Sequence, residues 1–127
     1  MGYGLGANLV KYTLMELNNI AVSNPEINDL IGNVVFIGGA TTLSKKDKNL
    51  NLFNLVGGKI INIFSSYDSS LKIIYNNNCI GLKPIDMYED NIEINSAIHN
   101  IDLSHLKINH KDYKNELGKI IEKINLN

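Results

Sequence analysis

The chain has no arginine and no tryptophan, and only one cysteine and two prolines among its 127 residues. Each scarcity closes something off. All twelve basic residues are lysine, so the planar forks that grip phosphates and base edges bidentately are missing. A net charge of −1 and a pI near 6.3 add no electrostatic case for nucleic acid. The single cysteine, Cys79, excludes an internal disulfide and a zinc site built on several thiolates, and reads as a small semi-buried hydrophobe. No apolar run approaches the roughly 20 residues that a membrane span requires. No basic-then-apolar leader opens the chain either, so an intracellular location is the expectation. What is present is globular: 44% hydrophobic and 20% charged, enough for a packed core in one domain or less.

The chain is organised around its start, Gly2-Tyr3-Gly4-Leu5-Gly6-Ala7, which runs straight into an amphipathic stretch. A glycine-dense turn opening a helix has two templates. One is the G-x-S-x-G elbow, where a nucleophile sits on a sharp strand-to-helix corner. Gly2 and Gly6 fit it, but the nucleophile position is Gly4, which carries no hydroxyl. The other is the G-x-G-x-x-G/A loop that cradles a dinucleotide pyrophosphate. Gly2, Gly4 and Ala7 fit that one, but no strand precedes them. The next strand ends in Gly38-Gly39-Ala40, without the acid that would hold ribose hydroxyls.

Periodicity supplies the frame. Residues 7–18 read as a helix with Val10, Leu14 and Leu17 inward and Lys11 and Glu16 pointing elsewhere. A turn at 23–25 and a short helix at 26–31 lead to a continuous β-branched run at 33–37, suited to a strand buried on both faces. A helix over 45–56 and a second buried strand over 59–64 follow. The serine-rich loop 65–70 then carries Asp68. Residues 71–75 are apolar, 79–85 an edge or loop, 98–103 a third strand, and 104–112 a loop holding His105 and His110. A closing helix spans 113–124, with Leu117, Ile120, Ile121 and Ile124 inward. Strands separated by helix-length segments predict an α/β fold, a parallel sheet with flanking helices. Functional groups in such sheets gather beyond the carboxyl ends of the strands, where Gly4, Asp68 and a histidine fall. His99, His105 and His110 include no pair at the i, i+4 spacing of a helical zinc site, so no metal is expected.

The ordered set of motifs resembles the C-terminal half of an α/β-hydrolase. More narrowly, it resembles the uncharacterised family typified by the transmembrane and coiled-coil domain-containing proteins. That family shows a G-Y-S-L-G-A elbow, an N-V-V-L-L-G-A-like strand, a Y-S-x-x-D loop, a G-L-x-P-I segment, an N-V-D-hydrophobic-S strand and an H-x-x-Y pair. The counterparts here are residues 2–7, 33–40, 64–68, 81–85, 100–104, and His110 with Tyr113. The resemblance implies serine-hydrolase chemistry on an ester or lipid-like small molecule, without cofactor. It makes Asp68 the triad acid, His110 the base and the Leu5 amide an oxyanion donor. His105 follows the strand more closely, but His110 keeps the spacing to Tyr113. Gly4 stands where the nucleophilic serine would be, so this copy is expected to be a pseudoenzyme. The chain begins inside the elbow, so residues 1–127 are expected to be a partial domain, with an apolar strand encoded upstream. The resemblance also implies that full-length members carry a membrane span, and with it membrane association. Asp68 and His110 are expected to approach about 3 Å.

Overall fold

The computed structural model describes residues 1–43, 55–85 and 98–124. Four strands form one parallel sheet in chain order: β1 (Gly2–Tyr3), β2 (Val34–Ile37), β3 (Ile60–Phe64) and β4 (Ile98–Asp102). Val34 pairs with Ile60 and Ile60 with Ile98, while Tyr3 pairs with Ile37. Every residue of β2 and β3 is buried. Their apolar runs have that cause: helices lie on both faces of the sheet, so no strand position needs to be polar for water, and Asn62 of β3 is itself buried and hydrogen-bonded.

The described residues form the helices α1 (Gly6–Ala21), α2 (Ser69–Tyr75) and α3 (Tyr113–Ile124). Helices α1 and α3 cover the two faces of the sheet, and α2 packs Leu71 with Ala40, Cys79 and Leu82. Side chains alternate across a strand, and the two cores follow that alternation. Val34, Phe36 and Ile60 pack with Ala7 and Leu14 of α1. Val35, Ile37, Ile61 and Ile63 pack with Tyr113, Ile120 and Ile124 of α3. Burying each such side chain contributes about 1.5–3 kcal/mol. Helix α1 stops where Asn24 closes its last turn, its Nδ2 donating to the Ile20 carbonyl at 3.1 Å. Pro25 follows, with no N–H to continue the ladder.

Several expectations change in the tertiary context. Two residues before the Gly4 corner pair with β2, so a strand end does precede the turn. Lys11 does not point to solvent. It is buried, and its Nζ donates to the Thr42 carbonyl at 2.7 Å. The long stem lies along apolar surface while its head finds a carbonyl. The short helix at 26–31 is a single 3₁₀ turn, Pro25–Ile27. Residues 71–75 belong to α2, whose Ile73 and Ile74 are exposed, as are Leu117 and Ile121 of α3. The buried face of α3 is the narrower Tyr113, Ile120, Ile124 stripe, which packs on Val35, Ile37, Ile61 and Ile63. Most of the helix expected over 45–56 lies outside the described residues. Leu55 and Val56 are buried, and Val56 bridges to Ile31 rather than continuing a helix.

An asparagine ladder holds the segment 79–85 over the sheet. Asn62 Nδ2 lies within hydrogen-bond reach of the Ile80 and Lys83 carbonyls and Asn100 Oδ1. Asn100 Oδ1 also accepts from the Ile85 N–H at 2.8 Å. Cys79, which opens this segment, is buried against Ala40 and Leu71, and burial, the largest influence, raises its thiol pKa.

Candidate active site

The corner after β1 is made by backbone. The Gly4 N–H extends the β1–β2 ladder to the Ile37 carbonyl at 3.0 Å. Its carbonyl accepts from the Ala40 N–H at 2.9 Å and the Ala7 N–H at 3.1 Å. Turning from strand to helix within two residues puts Gly4 at φ +54°, the left-handed region that glycine enters without a Cβ clash. Leu5 is the N-cap of α1 and its side chain is exposed. Among the described residues its N–H has no backbone acceptor, as expected for the first turn of a helix.

Asp68 sits four residues beyond β3 and is wholly buried. It caps α2, its Oδ1 accepting from the Leu71 N–H at 3.1 Å. Its Oδ2 lies 2.8 Å from His110 Nδ1. Capping helix and orienting imidazole are thus divided between the two oxygens of one carboxylate. A carboxylate only accepts, so Nδ1 donates and Nε2 carries the lone pair in the neutral ring. Nε2 faces the corner: a Cβ built on Gly4 would stand 2.8 Å from it. The structure therefore brings Gly4, Asp68 and His110 together beyond the carboxyl ends of the strands. It does not bring His105 there. His105 is exposed on the 3₁₀ turn Ser104–Leu106, and His99 is exposed on β4.

Side chains that the sequence reading left in the background join the two loops. Ser65 Oγ donates to the Ile108 carbonyl at 2.7 Å. The Ser66 N–H donates to Ser104 Oγ at 2.9 Å. Asn109 accepts from the Ser69 N–H and hydroxyl on one side and caps the His110–Asp112 turn on the other, with Asp112 completing the box. A serine-rich loop facing an Asn-His-Lys-Asp segment was a signal for this stitching, but only the fold shows which groups meet.

Aromatic rings wall the dyad. Tyr3 stacks on His110, and Tyr113 meets both edge-on. Burial, then the nearby Asp68 charge, pushes the Tyr3 hydroxyl pKa up. The same causes push Tyr113 well above its ordinary range. Tyr113 Oη is buried and without a partner among the described residues. A cavity of about 300 Å³ opens elsewhere, between α3 and the segment 103–108, against Leu103, Ile108 and Ile120. Among the described residues no cluster of three His, Cys, Asp or Glu is placed to hold a metal.

The family described as "Protein of unknown function (DUF726)" matches residues 1–127, the full chain. The chain belongs to the DUF726 family. It is also similar to an uncharacterized membrane protein of Caenorhabditis elegans, 26% identical over 129 residues, covering 98% of this chain and 19% of the relative. This DUF726 chain thus spans about a fifth of that relative's length. No described helix is long and apolar enough to cross a membrane. No solved structure matches.

Proposed function

We propose that this DUF726 chain forms an α/β-hydrolase-like unit that keeps an acid and a histidine but has no covalent step. Its ligand is an ester or lipid-like small molecule, held without formation of an acyl-enzyme. The observation that carries this reading is the 2.8 Å bond between His110 Nδ1 and Asp68 Oδ2, with Nε2 turned to the corner at Gly4. In a serine hydrolase the imidazole takes the proton of the attacking hydroxyl, the carboxylate orients the ring, and backbone N–H groups bind the developing oxyanion. Asp68, His110 and the Leu5 amide supply the last three parts. Gly4 cannot supply the first, and among the described residues neither serine at the start of the Asp68 loop replaces it. Ser65 spends its proton on the Ile108 carbonyl, and Ser66 is bonded to Ser104.

A second reading, an interaction scaffold with no turnover, is supported by the ring's position. His110 stands in the space that a side chain at Gly4 would occupy. Fluorophosphonate probes test both. The protein is expected to take no label, and label mapped to any serine would overturn the absence of a covalent step. Gly4→Ser in folded protein separates the two. Labelling of that serine supports a retained hydrolase site, and its absence supports the scaffold.

A further inference from the structure

Asp68 alone leaves His110 incompletely held. One hydrogen bond at Nδ1 tolerates a wide range of ring orientations, and the turn that carries the residue is a surface segment. Tyr3 removes both freedoms. Its ring is stacked on the imidazole, with centroids 5.0 Å apart and planes 16° apart. Its hydroxyl donates to the His110 backbone carbonyl at 2.5 Å. One contact sets the plane of the ring and the other sets the backbone from which it grows. Tyr3 is itself anchored, paired with Ile37 in β1 and followed immediately by Gly4. Tyr113 closes the arrangement edge-on, 6.1 Å from Tyr3 and 6.4 Å from His110.

We infer that Tyr3 is the positioning residue of the dyad, clamping His110 by ring and backbone so that Nε2 stays over the Gly4 corner. The inference rests on the reading of Asp68 and His110 as the chemical centre. Tyr3 is no proton donor to a ligand here, because its hydroxyl is committed to the His110 carbonyl. A tyrosine next to the corner thus couples the start of the chain to a histidine 107 positions later, and each holds the other to the sheet.

Two side-chain probes on the folded protein test this without requiring turnover. In proton NMR spectra the His110 ring signals are expected upfield of those of His99 and His105, because they lie under the Tyr3 ring. Tyr3→Phe should keep that displacement and Tyr3→Leu should abolish it. Carbethoxylation by diethyl pyrocarbonate should be slowest at His110. It should rise there roughly two- to fivefold in Tyr3→Phe, where one hydrogen bond is lost, and further in Tyr3→Leu, with His99 and His105 unchanged as internal references. If Tyr3→Leu does not fold, the Tyr3→Phe rate decides. A folded Tyr3→Phe with the wild-type His110 rate, or a folded Tyr3→Leu that keeps the ring displacement, overturns the clamp. Fluorophosphonate labelling of Gly4→Ser, with and without Tyr3→Phe, separates the two ideas. No label in either sinks the hydrolase-like reading alone, and equal labelling rates sink the clamp alone.

Discussion

Adding one carbon at Gly4 tests the geometry of the site most directly. Gly4→Ala has two costs. The first is backbone: an L-residue at φ +54° is disfavoured by roughly 1–2 kcal/mol. The second is steric. The new Cβ would stand 2.8 Å from His110 Nε2 and 3.2 Å from Cε1, so the ring must retreat by about 0.6 Å to reach ordinary contact at 3.4 Å. That retreat works against the Asp68 bond and the Tyr3 stack, and overpacking of this kind costs about 1–3 kcal/mol. The expected total is about 2–5 kcal/mol. Urea unfolding of four proteins resolves the parts: wild type, Gly4→Ala, His110→Ala and the double variant. Removing the ring should return the steric share, giving a coupling of about 1–3 kcal/mol, while the backbone share persists in the double variant. Additive costs, or a Gly4→Ala protein within 0.5 kcal/mol of wild type, taken as the roughly 0.5 kcal/mol scatter of additivity, would refute the claim that His110 fills the side-chain space of the corner.

Two further outcomes follow from buried hydroxyls. Tyr113→Phe removes an unpartnered buried Oη and should stabilise by about 1 kcal/mol. Tyr113 is raised in the fold above its unfolded value of about 10. Its contribution is therefore fully present below pH ~10 and is lost as pH rises beyond, and the alkaline limb of a stability–pH curve should be shallower in Tyr113→Phe. An unchanged limb would exclude Tyr113 as its source. Ser65→Ala strips the Ile108 carbonyl of its donor and should cost about 1–3 kcal/mol, read by urea unfolding. It should also speed carbethoxylation of His110, because the histidine loop loses one stitch.

Some features of this protein were legible without coordinates because their causes are local. A continuous run such as Val34-Val35-Phe36-Ile37 must be buried on both faces, so a covered parallel sheet followed from the run itself. Helix α3 begins at Tyr113 and ends at Ile124, where the apolar period begins and ends. The glycine-dense corner was likewise written in the chain, since a residue without a Cβ enters the left-handed region, here φ +54°, at the least cost. Other features depend on distance in space rather than in sequence. Lys11 lies on the helix stripe of Ala7 and Leu14, and its burial required a carbonyl supplied from residue 42. His105 and His110 are the same side chain in neighbouring loop positions, and in the sequence only the spacing of His110 to Tyr113 favoured it. What separates them in space is that Ser65 and Ser69 draw the Ile108 carbonyl and the Asn109 side chain against the Asp68 loop, leaving His105 outside. Tyr3 matched the tyrosine of the elbow motif but carried no signal of its contact with His110, because stacking across 107 positions exists only once β1 is paired and α3 is docked. Periodicity reports which face of an element is buried. Which side chains meet at the ends of the strands is decided by the sheet, whose order sets the loops side by side.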